Sequence, residues 1–274
     1  MSHTVCLGFD FDAVSGWIHG YGATDSPTKL SRGTYGARVG VPRLLDLLDR
    51  VDVTATFFTP GHTIESFPDV CGDIVDAGHS IQHHGWTHTS PREFDSRAEE
   101  RADIERGIDA IQALTGHTPT GYRSPSWDFS PHTLELLQAL GFDWDSSLMG
   151  HDFEPYYLHE TREVDPAQPY ESGAETDILE FPVSWHRDDW PAFQFVPGES
   201  MPLAGLQETA AFDLWASQFD WMRDHLASGV FSLTFHPQVI AQPPRLRQLD
   251  ALLETMQAHA DVEFETFDAV ARRY

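Results

Sequence analysis

Short blocks of consecutive apolar residues alternate along this chain with longer stretches whose apolar positions recur every three or four residues. The blocks at 4–9, 53–58 and 230–235 are apolar and rich in β-branched and aromatic side chains, and predict buried strands. Further strands are expected at 77–81, just before Tyr122, and at 142–145, 178–183 and 262–264. Helical spacing appears in Val41, Leu44, Leu45 and Leu48, over residues 67–77 ahead of Gly78, and in Ile104, Ile108, Ile111 and Leu114 ahead of Gly116. Ser130 and Pro131 are expected to open another helix as N-cap and first-turn proline, with Gly141 closing it. Trp215, Phe219, Met222 and Leu226, then Leu246, Leu249, Leu253 and Met256, mark two more helices with a core-facing side.

Three stretches break this rhythm. Gly16, Gly20, Gly22, Gly33 and Gly36 predict a long loop leaving the first strand, placed to line a site. Residues 147–176 read as an excursion over the surface, and a second irregular segment runs from Trp185 to Leu206. Strands that alternate with helices and end in polar residues predict an α/β fold with a parallel sheet or barrel. Its site should gather at the C-terminal strand ends.

The chain has 274 residues and no composition break, so a single domain spanning 1–274 is expected. Its 43 acidic against 17 basic residues give a net charge of -26, dispersed rather than gathered in a tail. Nucleic acid and anionic membranes call for cationic patches, which argues against both as partners. The charge suits solubility at high salt, a halophilic trait, because salt screens the self-repulsion. Cys6 and Cys71 lie in apolar runs and are expected as buried thiols. No signal-peptide pattern and no apolar run long enough for a membrane span is present, so a cytoplasmic location is expected.

Candidate chemistry centres on His84 and His88, four apart and close enough to share one metal ion. A divalent metal that keeps an open position usually has three protein ligands, the third often a carboxylate. Asp12, just beyond the first strand, is the best third ligand, with Asp10 left free for proton transfer. This is not the metalloprotease helix motif, since Gly85 stands where that motif has glutamate. Each signal alone has an ordinary reading: Asp-x-Asp as a loop cap, His236 as a structural histidine, Arg123 as a surface ion pair. Their shared position, each following a predicted strand, favours one common rim.

Phe-Asp-Phe-Asp (residues 9–12), His84-x-x-x-His88, Arg123-Ser124-Pro125, Asp145-Ser146-Ser147 and Leu-Thr-Phe-His-Pro (residues 233–237) together resemble, in order, the five motifs of the polysaccharide deacetylase (NodB-homology) family. The Gly16-to-Gly22 loop, the run after Asp145 and the segment around Trp185 are similar to the branch with peptidoglycan deacetylase-like proteins, cyclic imide hydrolases and allantoinase-like proteins. The resemblance implies a distorted (β/α) barrel with about seven strands and a metal-dependent hydrolase of carbon–nitrogen bonds, acting most directly on N-acetylated amino sugars. It implies Asp12, His84 and His88 as ligands of a divalent metal, usually zinc, with Asp10 as general base and Arg123 orienting it. His236 would be the general acid, held protonated by Asp145, and a backbone N–H near Ser126 would stabilise the oxyanion. Ser126, Trp127, Trp185 and Asp189 are the candidate substrate contacts, and the aromatic segments 153–157 and 185–190 are candidates to stack on a sugar or close over a small cyclic amide. Relatives of this kind often form homo-oligomers. Two departures stand out: Ser126 replaces a common aromatic residue, and Gly85 replaces Ser or Thr after the first histidine. Small cyclic amides or imides as substrates, metal-free amide chemistry, and a catalytically silent glycan-binding protein are the rival readings.

Overall fold

In the computed structural model the described residues are 2–160, 162–196 and 208–274. Strand β1 (His3–Asp10) is buried along its whole length and pairs on both edges, as its unbroken apolar run requires in a parallel sheet. Along one edge it matches β8 (Gly229–Phe235) from His3 to Phe9. Its other edge is shared: β9 (Val262–Phe264) pairs with His3 to Val5, and β2 (Thr56–Thr59) with Gly8 to Asp10. The sheet continues through β3 (Ser80–His83), β4 (Gly121–Tyr122), β5 (Trp144–Asp145) and β7 (Glu175–Glu180) to β6 (Tyr156–His159). All pairings are parallel except β6 with β7.

Among the described residues the expected barrel is present as an α/β sheet of nine strands, where about seven were expected, and no continuous ladder closes it. Among the described residues the gap between β8 and the β7–β6 end of the sheet is crossed by a single parallel bridge from Asp188 to Thr234, by Val230 N donating to the Phe153 carbonyl at 2.8 Å and by Ser232 Oγ donating to the Pro182 carbonyl at 2.6 Å. The bridge brings the segment after β7 beside β8, which proves decisive for the site. The core packs Phe9, Phe57, Phe231, Leu233 and Phe235 of the sheet against Leu44, Leu48, Trp215, Phe219 and Leu253 of the helices.

Several expectations need correction. The glycine-rich stretch is mostly helical, as Pro27–Tyr35 flanked by the wide turns Gly16–Gly20 and Gly36–Gly40. Two of its glycines serve close approach: a Cβ on Gly33 would lie 2.5 Å from the Ala13 carbonyl, and one on Gly40 2.5 Å from that of Pro237. The excursion at 147–176 contains β6, an irregular edge strand too short and polar at its ends to stand out. Ser130 precedes a turn, and the helix starts at Thr133 (Thr133–Leu140). Strand β3 begins at Ser80, three residues later than expected, because Ala77 and Gly78 end the preceding helix Pro68–Asp76. The expected end of the second irregular segment at Leu206 lies outside the described residues. Both cysteines are free and buried, and no described helix is long and apolar enough to cross a membrane.

Gly121 faces Trp144 across β4 and β5, and a Cβ there would overlap the indole. Gly121→Ala should therefore cost about 1–3 kcal/mol, read from the urea midpoint. Gly72, inside Pro68–Asp76 with open space at its Cβ, is the control. Gly72→Ala should be neutral or stabilising by up to about 1 kcal/mol.

Candidate active site

Strand β1 ends at Asp10, and Asp12 follows within the buried turn that starts Ala13–Ser15. His84 leaves β3, and a turn then brings His88 back beside it, with ring centroids 4.9 Å apart. That turn needs left-handed backbone at Gly85 (φ 70°) and His88 (φ 62°). Asp103, on helix Arg97–Thr115, pins it by accepting from Trp86 N at 2.8 Å and from Thr87 N and Oγ1 at 3.0 and 2.8 Å. A side chain at Gly85 would press on that carboxylate, its Cβ 3.0 Å from Asp103 Oδ2. Sequence reasoning missed Asp103, whose setting among charged helical residues looks like a solvated face. The neighbouring His83 faces the other way, bonding Ile104 O and accepting from Gly85 N.

Asp12 Oδ1 lies 3.5 Å from His84 Nε2 and 3.4 Å from His88 Nε2, and the three ligand atoms fall within 4.8 Å of one another. Asp12 Oδ1 is buried and has no hydrogen-bond partner. His84 Nδ1 donates to the Arg123 carbonyl at 2.7 Å, which leaves the Nε2 lone pair facing Asp12. Burial depresses both imidazoles to about 4, so they are neutral donors at pH 7. Burial also pushes Asp12 up to about 6, as expected for a carboxylate short of a positive partner. One orphaned oxygen and two neutral nitrogens fit a divalent cation, and the partner of His84 comes from Arg123 rather than from position 85.

Asp10 sits 4.0 Å from His84 Nε2 and accepts from Arg123 Nη1 at 2.7 Å. Burial opposes its charge, but the guanidinium prevails and holds its carboxyl below the usual range. Arg123 is itself fully buried, donating through Nε and Nη2 to Ser146 at 2.9 and 2.8 Å and lying 3.8 Å over the Phe58 ring. Gly8 makes room for it, since a Cβ there would sit 2.7 Å from Nη1.

The expected partnership of Asp145 with His236 does not form. Asp145 pairs in register with Glu180 of β7, behind Arg123. Asp145 Oδ1 accepts from Ser147 Oγ at 2.8 Å, and Glu180 Oε1 from Ser147 N and Leu148 N at 3.0 and 2.9 Å. Their other oxygens, Asp145 Oδ2 and Glu180 Oε2, are buried and lack a partner unless the two carboxyls share a proton. Burial pushes Asp145 up to about 6, and burial together with the Asp145 charge lifts Glu180 well above the ordinary carboxyl range.

Asp189 takes the place assigned to Asp145. Expected as a substrate contact, it is fully buried and accepts from His236 Nδ1 at 2.7 Å and from His236 N at 3.0 and 3.1 Å. Asp188 caps helix Asp189–Phe193 through Trp190 N and lies 3.6 Å from His236 Nδ1. Burial opposes charge on His236, yet Asp189, Asp188 and Asp12 raise its pKa to about 10. His236 Nε2, the free nitrogen, is 3.9 Å from Asp12 Oδ2.

These groups open into a cavity of about 690 Å³. Trp127 and Trp185, with ring centroids 4.4 Å apart, form part of its lining; Tyr21 and Trp190, stacked at 6.4 Å, form another. Ser126 lines it too, at φ 60° in a tight turn (Pro125–Trp127). The segment 153–157 does not line it: Phe153 is buried in the core against Phe231.

Comparison with known proteins places this geometry. The peptidoglycan deacetylase of Helicobacter pylori is 38% identical over 277 residues, covering 97% of this chain and 94% of that one. The chain belongs to the polysaccharide deacetylase family. The family pattern itself matches residues 33–144. A Mycobacterium smegmatis protein assigned to the polysaccharide deacetylases superimposes with a TM-score of 0.86 at 36% identity, over 99% of this chain and 90% of that one. An allantoinase shares the fold, with a TM-score of 0.79 at 22% identity over 98% of this chain and 89% of that one. Polysaccharide deacetylases are hydrolases of carbon–nitrogen bonds other than peptide bonds, and the chain is such an enzyme.

The Asp145–Glu180 pair gives a pH test. A carboxyl lifted in the folded state contributes stability that is complete below its unfolded pKa and is lost as pH rises toward its folded value. Glu180→Gln keeps the acceptor for Ser147 N and Leu148 N and supplies a permanent donor to Asp145. Urea unfolding between about pH 5 and 9 should show the variant gaining on the wild type as pH rises. A difference that does not change with pH would argue against the shared proton.

Proposed function

We propose that this polysaccharide deacetylase removes the N-acetyl group from an amino sugar, with a divalent metal, zinc by its donor set, held by Asp12, His84 and His88. The observation that carries the reading is that Asp10 stands beside His84 and His236 beside Asp12, so a base and an acid flank one cation-holding triad. Bound there, the metal supplies Lewis-acid polarisation of the amide carbonyl and acidifies water.

The chain's own residues supply the proton traffic. Asp10 is kept ionised and aimed by Arg123, and takes a proton from the water that adds to the carbonyl carbon. Its weak intrinsic basicity is offset by position and by the acidity of that water. His236 is charged and oriented by Asp189 through Nδ1, and delivers the proton on Nε2 to the amine nitrogen as the carbon–nitrogen bond breaks. Acetate and a free amine result. Trp127 and Trp185 offer aromatic faces for a sugar ring, and the turn at Ser126 presents backbone to the carbonyl oxygen. The name of the H. pylori relative and its coverage of the whole chain support the acetyl-amide assignment.

His84→Ala should lose both the bound metal and hydrolysis, by elemental analysis and an acetate-release assay. Asp189→Asn should keep the metal while kcat falls by about 100-fold, because His236 loses its charge partner. Purified protein without stoichiometric metal, or activity that survives chelation, would overturn the metal assignment. Hydrolysis confined to cyclic imides would move the substrate to that class. Sugar binding with no turnover on any amide would leave a glycan-binding protein.

A further inference from the structure

The cavity carries its catalytic charges at one place and no cation elsewhere. Among the described residues no lysine or arginine lines it. Arg123 is buried beneath Asp10, with every nitrogen engaged by Asp10 or Ser146. Arg187 belongs to the wall segment by sequence, but its guanidinium turns inward, 5.0 Å over Phe153 and 5.7 Å over Phe231. Lys29 and Arg32 lie over the rings of Tyr21 and Trp17 and form none of the lining. The undescribed stretch 197–207 contains no lysine or arginine at all.

What remains of the lining is mainly aromatic, Tyr21, Trp127, Trp185 and Trp190, with the exposed His186 at its edge and Asp188 buried beside His236. A carboxylate or phosphate on the substrate beyond its amide would be stripped of water against indole faces with no positive group to meet it. It would also approach through the field of a protein of net charge -26. His236 and a cation held by Asp12, His84 and His88 would both be engaged at the scissile amide.

We infer that the cavity selects amides carried on an uncharged body and turns away those bearing an anionic group beyond the amide, an inference that rests on the amide-hydrolase reading above. Selection of this kind is built from a missing partner rather than an added contact. It separates neutral amino sugars and imides from lactyl-acid or phosphorylated ones that carry the same acetyl or imide group.

The test uses pairs that differ in charge and hardly in shape: N-acetylmuramic acid with its methyl ester, and 4-carboxyphthalimide with its methyl ester. With metal-loaded full-length protein, kcat/KM should favour the ester of whichever pair is turned over by tenfold or more. His186→Arg, which puts a guanidinium on the rim, should narrow that ratio at least threefold. Equal kcat/KM for acid and ester, or a preference for the acid, overturns the inference and leaves the hydrolase reading standing. Absence of turnover on all four compounds and on N-acetylglucosamine overturns both.

Discussion

The structure depends on one constraint: charges taken out of water must be matched inside the protein. Strand β1 delivers Asp10 and Asp12 to the same buried mouth, and β8 delivers His236 there. An unpaired ionised group so deeply buried is costly by several kcal/mol. Each is answered differently. Arg123 neutralises Asp10, Asp189 matches His236, and burial raises the pKa of both Asp145 and Glu180, which favours their uncharged forms. Asp12 keeps a buried oxygen with no hydrogen-bond partner between two neutral imidazoles, a deficit that fits a cation.

The fold supplies this arrangement through register. Parallel strands carry residues at one end into one layer, so Asp10, the histidines after β3, Arg123 after β4 and His236 after β8 meet without sequence proximity. Where the ladder stops, at the seam, the single bridge from Asp188 to Thr234 takes over and sets Asp189 against His236. A site built this way tolerates variation in the connecting segments, because its geometry is held by strand ends and by a few side chains such as Asp103 that lock the turns.

Whereas the pairing of Asp10 with Arg123 came from the resemblance to the family, the strand blocks and the gathering of Asp12, His84 and His88 at one rim were readable in the sequence because those residues follow detectable apolar runs. Asp189 was not: nothing local separates it from Asp188, and its role exists only because an irregular segment crosses to β8. Asp145 was misassigned for the complementary reason, since the acid that ends β5 looks like any rim carboxylate until β7 places Glu180 opposite it. Glycine content misled in the stretch 16–40, where small residues let helices and turns approach other backbone closely, a demand that composition cannot distinguish from loop flexibility. Asp103 was hidden by periodicity, since one acid among many on a helix gives no hint that it faces inward.

The sharing of one β1 edge between β9 and β2 has a consequence for how the molecule is made. The strand that carries Asp10 precedes two of its three neighbours, β8 and β9, by more than two hundred residues. While the polypeptide is still threading from the ribosome, that strand has only β2 to lean on, and the catalytic pocket has no floor beneath it. Assembly of the pocket therefore waits until β8 has emerged, and a chain released before it holds His84 and His88 without the framework that makes them useful.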